Sequence, residues 1–130
     1  MNDRDAFRDL LQRYARAADA RDVDALAAVF HPNAIVNGSR GTQSVAEWLD
    51  NMRGPKPFPV SMHVLGEPLI EHDDEDNEAR LDTYAVVYQL GDREAGQADL
   101  TLGIRYVDDV VRLDDTWVIL RRDATTVWMR

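Results

Sequence analysis

From Asp5 to Ala20 the apolar residues Phe7, Leu10, Leu11, Tyr14, Ala17 and Ala18 recur at helical spacing, with arginines and acids on the opposite face. This pattern predicts an amphipathic first helix with one stripe turned to a core. Asp22 is placed to cap a second, short helix whose Val23, Leu26, Ala27 and Phe30 face inward, and Pro32 requires it to stop. Ala34-Ile35-Val36 reads as a short strand ending at Asn37-Gly38. Ser44 and Glu47 form a capping box before a helix carrying Trp48, Leu49 and Met52. The segment Gly54-Pro55-Lys56-Pro57-Phe58-Pro59 then ends that helix in a stiff loop.

Beyond Val60 the pattern changes. Segments 61–72, 78–90, 98–113 and 116–129 are rich in Val, Ile, Thr, Tyr and Trp and are separated by polar turns at Asp73 to Asn77, Gly91 to Gln97 and Asp114-Asp115. They predict hairpin-connected antiparallel strands. Such runs exceed the usual strand length of about 5–6 residues, so they are expected to bend, with Gly66, Pro68 and Gly103 as bulges or kinks. The three helices are the only elements able to fill the concave side of so long a sheet. The expected fold is therefore α+β, a cystatin-like cone of three N-terminal helices packed in a strongly curved antiparallel sheet, with an internal pocket open at one end.

The 130 residues suit a single domain, 1–130, and 45% hydrophobic with 30% charged residues is the composition of an ordinary soluble globule. No apolar run is long enough to span a bilayer, and Met1-Asn2-Asp3-Arg4-Asp5 passes into the helical pattern without the apolar centre of a signal peptide. A cytoplasmic location is the expectation. The absence of cysteine excludes disulfides, thiolate metal sites and cysteine nucleophiles. A formal charge of −9 with no segregated basic patch opposes binding to nucleic acid or to anionic membranes.

Several polar features read as structural. Glu71-His72-Asp73-Asp74-Glu75-Asp76-Asn77-Glu78 lacks the ligand spacing and central glycine of an EF-hand loop, so a solvated hairpin tip is expected. His31 and His72 belong to no spacing that sets two ligands on one face, so no metal is expected. Gly38 to Gly41 does not match a phosphate-cradling motif. Asp108 and Arg121 are expected to form a structural ion pair across the last hairpin. Tyr84 and Tyr88, two apart, should share one sheet face and line the pocket with Trp48 and Phe30, although cross-strand packing explains the tyrosines equally well. Trp117 and Trp128 read as core or interface aromatics.

One residue stands out. His63 interrupts the apolar stretch Ser61-Met62-His63-Val64-Leu65-Gly66, where an imidazole is either a packed core histidine or a base aimed into a cavity. Asp19 sits in the last turn of the first helix, where the helix dipole disfavours negative charge. It is either an exposed partner of Arg16 or Arg21, or the carboxylate that orients His63. A neutral imidazole oriented in this way is a competent base toward a carbon-bound proton near pH 7. Tyr14 reads as a core aromatic whose phenol can also donate to a substrate oxygen.

The segments Tyr14 to Leu26 and Phe30-His31-Pro32-Asn33-Ala34, the stretch from Ser61 to Gly66, and the run from Tyr106 through Arg112 to Trp117-Val118-Ile119-Leu120-Arg121 resemble, in order, the SnoaL-like group of the nuclear transport factor 2-like superfamily. The similarity extends over nearly the whole chain. Within that superfamily the chain resembles cofactor-independent lyases: scytalone dehydratase, bile-acid 7α-dehydratase and hexachlorocyclohexane dehydrochlorinase. The resemblance sets their shared Asp-His pair on Asp19 and His63, and the tyrosine of the bile-acid dehydratase on Tyr14, where the dehydrochlorinase has lysine. Where ketosteroid isomerase carries its acidic base, this chain has Asn37-Gly38, which argues against that activity.

Residues and resemblance together favour a lyase or isomerase without cofactor, acting on a small hydrophobic cyclic molecule. The alternatives are a non-catalytic binding protein with the same pocket, or a structural subunit of the same fold. Because the helices cover only one face of the sheet, a homodimer or higher homo-oligomer is expected.

Overall fold

A computed structural model describes residues 1–73 and 75–130. In chain order the elements are α1 (Asp3–Ala20), α2 (Val23–Val29), β1 (Phe30–Gly38), β2 (Gly41–Ser44), α3 (Val45–Met52), β3 (Val60–Leu65), β4 (Leu69–Glu71), β5 (Glu78–Leu90), β6 (Leu100–Leu113) and β7 (Thr116–Met129). The helix starts follow from side-chain capping. Asn2 accepts from the Asp5 amide at 2.8 Å, Asp22 from Ala25 at 3.1 Å and Ser44 from Glu47 at 3.2 Å, each satisfying an amide that the helix itself leaves unpaired. Arg21 ends α1 in a left-handed conformation (φ 53°), its N–H bonded back to Ala17 and Ala18, so the chain reverses at once into α2.

The strands form a seven-stranded sheet in the order β2-β1-β7-β6-β5-β3, with β4 also paired to β5. Along β5 the side chains of Ala79, Leu81, Thr83, Ala85 and Val87 are buried, and their alternate neighbours face outward. Of these, Ala79, Leu81 and Ala85 join Phe7, Leu10, Leu11 and Tyr14 of α1, Leu26 of α2, Leu49 of α3, and Tyr106, Val110, Trp117 and Ile119 in a single core.

The α+β cone expected from the sequence is present, with local differences, the first being that Phe30, expected on the second helix, opens β1. The sheet is mixed, because β1 runs parallel to β7. The expected strand over 61–72 is two segments, β3 and β4, on the same side of β5, interrupted at Gly66-Glu67-Pro68. There the Gly66 amide bonds the Tyr84 carbonyl at 2.7 Å, and Pro68 has no N–H to contribute. β2, a short polar strand after the Ser39-Arg40 turn, was not expected. The acidic stretch is less uniformly solvated than its composition implies: the His72 side chain is 1% exposed, packed edge-on against Phe7 and Trp117 and bonded to Asp3 at 3.1 Å. Asp74, within the expected tip, lies outside the described residues.

Candidate active site

Asp19 and His63 meet where the end of α1 packs on β3. His63 Nδ1 lies 2.6 Å from Asp19 Oδ1, the His63 amide donates to Asp19 Oδ2 at 2.9 Å, and Ser61 Oγ donates to Oδ1 at 3.0 Å. β3 is an edge strand, so the His63 amide has no ladder partner on its outer side, and the carboxylate supplies one. These donors offset the unfavourable position of a carboxylate at a helix C-terminus. Asp19 thus neither faces solvent freely nor pairs with Arg16 or Arg21. Because a carboxylate only accepts, the proton on Nδ1 points to Asp19, and in the neutral imidazole the lone pair is then on Nε2.

Tyr14 is buried one helical stretch before Asp19, its ring perpendicular to that of His63 with centroids 5.9 Å apart. It is also edge-on to Tyr106 at 5.8 Å and stacked on Trp48 at 6.5 Å. Behind it lies Arg122, whose guanidinium carbon stands 3.9 Å from the Tyr14 ring centroid and 4.1 Å from that of Tyr106. Arg122 is held by Asp108 through a bidentate pair at 2.7 and 2.9 Å, with both residues buried. Burial alone would lower the Arg122 pKa, but the charge and hydrogen bonds of Asp108 outweigh it and hold the pKa above its ordinary value. Burial, with the neighbouring Tyr14 phenol, pushes the Tyr106 phenol well above its usual pKa, so Tyr106 stays neutral.

A cavity of about 270 Å³ opens onto these groups, lined by Tyr14, Asp19, His63, Trp48, Leu102 and Tyr106 among others. A second lobe of about 260 Å³ shares the wall of Tyr14, Trp48, Met52, Leu102, Ile104 and Tyr106 and reaches Arg122, whose Nη1 is buried without a partner. A larger and more open groove of about 630 Å³ on the far side of α1 contains none of Tyr14, His63, Tyr106 and Arg122. Among the described residues no group of three or more His, Cys, Asp or Glu side chains converges on a point where a metal would sit.

Three sequence expectations need correction. Tyr84 and Tyr88 do share a face, but it is the outer one, where they are 65% and 42% exposed, because Ala85 and Val87 occupy the inward positions of β5. Phe30 is a core residue supporting Tyr14 and Trp48 from behind at centroid distances of 6.3 and 5.4 Å, and it does not line the cavity, whereas Trp48 does. The buried partner of Asp108 is Arg122, while Arg121 bonds Asp123 on the exposed face. Tyr106, Ser61 and Arg122 were not anticipated at the site. The alternation Tyr106-Val107-Asp108, which puts Tyr106 and Asp108 on one face, is the signal that would have found Tyr106.

A sequence profile for the SnoaL-like domain matches residues 1–123. The chain belongs to the SnoaL-like family. It is 32% identical, over its full length and 89% of theirs, to the uncharacterized proteins Rv2910c of Mycobacterium tuberculosis and Mb2934c of Mycobacterium bovis. Among solved structures it is similar to a candidate scytalone dehydratase of Novosphingobium aromaticivorans (TM-score 0.84, 21% identity, 96% of this chain and 84% of that one). A hexachlorocyclohexane dehydrochlorinase, LinA type 2, superposes with a TM-score of 0.81 at 16% identity over 98% and 86% of the chains. A Nostoc punctiforme protein with a cystatin-like fold gives 0.78 at 20% identity over 97% and 95%. At these identities the solved structures establish the fold, and membership of the SnoaL-like family leaves the reaction to be argued from the site.

Proposed function

We propose that this SnoaL-like protein is a cofactor-independent lyase of the dehydratase type, with His63 as base, Asp19 as its orienting carboxylate and Tyr14 as proton donor. The observation that carries the reading is the 2.6 Å contact of His63 Nδ1 with Asp19 inside a cavity, which leaves Nε2 to accept a proton. In the proposed step Nε2 takes a proton from a substrate carbon. The electron pair of the broken C–H bond forms the new C=C bond, and the leaving hydroxyl departs as water with the Tyr14 proton. The imidazolium then returns its proton through solvent, restoring the phenol. The cationic Arg122 against the Tyr14 ring stabilises the negative charge that develops on the phenol oxygen. The open cavity favours this role over that of a structural subunit, whose interior would be filled.

The test is a screen of hydroxylated and halogenated cyclic compounds for release of water or halide, repeated with His63→Gln. Turnover by the wild type that the variant loses supports the reading. Absence of turnover throughout, with ligands bound in the cavity, favours the non-catalytic binding protein instead.

We also propose that a second copy of the chain covers the outer face of the sheet. Val60, Met62, Val64, Tyr84, Tyr88 and Trp128 are exposed there, and among the described residues no helix packs on that side. The Trp128 indole covers Gly103, where a Cβ would come within 2.1 Å of the indole nitrogen, so the glycine is what allows the indole to extend the apolar surface.

A further inference from the structure

The charges around the cavity run opposite to those of the chain. The protein has 24 acidic and 15 basic side chains, yet among the described residues the two lobes are lined by Arg21, Arg40, Lys56 and Arg122 against a single carboxylate, Asp19. Asp19 is engaged by His63 and Ser61, and Arg122 by Asp108. Three cations therefore remain. Among the described residues none of Arg21, Arg40 and Lys56 takes part in a salt bridge.

Their positions are specific. Lys56, the only lysine of the chain, is exposed in the proline-rich loop that forms the lip of the lobe containing His63. Arg21 lies on the same lobe. Among the described residues its Nε is buried without a partner, and its side chain makes one long bond, 3.5 Å from Nη2 to the Gly54 carbonyl. Arg40 is exposed in the β1–β2 turn at the lip of the second lobe. The groove behind α1 shows the ordinary arrangement, in which Arg13 and Arg16 are interspersed with Asp9, Asp22 and Asp115. A cleft with low-dielectric walls and cations of one sign at its mouth concentrates anions, even on a molecule whose net charge repels them.

We propose that the substrate carries an anionic head group, carboxylate or phosphate, held at the mouth by Lys56 and Arg21 while its apolar body enters the lobe beside His63. This rests on the reading of the cavity as the substrate site. The anion is not the reacting group. It fixes the orientation of the body, and binding at a position remote from the reacting carbon helps present that carbon to the base.

The test measures binding of three probes of similar shape, 2-naphthoate, 2-naphthyl phosphate and neutral 2-naphthamide, by calorimetry at low salt. Wild type is compared with Lys56→Gln and Lys56→Glu, and the His63 ring signals in NMR report occupancy of the lobe. The wild type should prefer at least one anion to the amide. Lys56→Gln should weaken that anion about threefold and Lys56→Glu about tenfold, with the effect fading at high salt, as expected for a solvent-screened charge contact. The amide should change less than twofold. The tighter anion identifies the head group. If the amide binds and shifts His63 but neither anion is preferred, or Lys56→Glu leaves anion binding unaltered, the anionic head group is wrong and the proposed lyase stands. If no probe shifts His63 at millimolar concentration, both readings fall.

Discussion

Asp108 faces Arg122 across the last hairpin, and a single extra residue in β7 makes that pairing possible. Regular pairing outward from Leu113↔Thr116 would put Asp108 opposite Arg121. A bulge at Leu120 shifts the register, so Asp109 meets Arg121 and Asp108 meets Arg122 on the inner face. The guanidinium that backs Tyr14 and Tyr106 is there because of that bulge.

Removing the carboxylate leaves Arg122 buried and uncompensated. Asp108→Ala is predicted to lower the unfolding free energy by about 3–5 kcal/mol, whereas the double variant Asp108→Leu, Arg122→Met should recover most of the loss. Arg121→Ala, which breaks only a surface pair with Asp123, should stay within about 0.5 kcal/mol of wild type. Urea unfolding of the four proteins checks all three values.

Tyr106 makes stability sensitive to alkali. Its folded pKa lies well above that of a free phenol because burial disfavours the phenolate. The folded state therefore holds this proton more tightly, and the associated stability is complete below about pH 10 and lost as the pH rises toward the folded value. Wild type is predicted to lose stability above about pH 10 more steeply than Tyr106→Phe, measured by thermal unfolding across that range. At the acid end Asp82, lowered chiefly by its hydrogen bond to Arg105, acts with the opposite sign. Its contribution is present above the ordinary carboxylate range and is lost as the pH falls through the depressed value.

The outer sheet face gives an independent prediction. Light scattering at micromolar concentration should report a dimer or larger assembly for the wild type, and Tyr88→Glu should shift it to monomer, since the tyrosine is exposed and its loss leaves the inner core untouched. A wild type that is monomeric throughout removes the second copy from the account.

The parts of this molecule readable from sequence are those set by short-range pattern. The α1 stripe from Phe7 to Ala18 and the caps at Asp22 and Ser44 are local signals, and they fall where expected. Asp19 and His63 are 44 residues apart, and no periodicity brings them together. Their pairing was carried by the resemblance, with the chemistry of each residue supplying the reason. What the sequence did not yield depends on register and on distant partners. The bulge at Leu120 has no glycine to mark it, and Gly41-Thr42-Gln43-Ser44 is too short and polar to announce a strand. The parallel pairing of β1 with β7 joins segments from opposite ends of the chain. The two-residue spacing of Tyr84 and Tyr88 fixes that they share a face, but which face is decided by Ala85 and Val87 packing inward.

If Asp19 serves to orient His63 and to stabilise the imidazolium, its conservative replacement should separate structure from rate. Asp19→Asn can still accept the His63 amide bond, so the fold and ligand binding should be largely retained while turnover falls severely. Calorimetric affinity beside steady-state rates for the substrate found in the screen measures the two effects in one variant.

Proton abstraction from carbon by the proposed base, His63, would be read in the rate of C–H cleavage. With the substrate identified by the screen, wild type and His63→Ala are compared in single turnovers of protiated and deuterated compound, alongside ligand affinity. The cleavage rate of His63→Ala should fall about 10²–10⁴-fold with affinity largely intact. An unaltered cleavage rate in His63→Ala would contradict this role of His63.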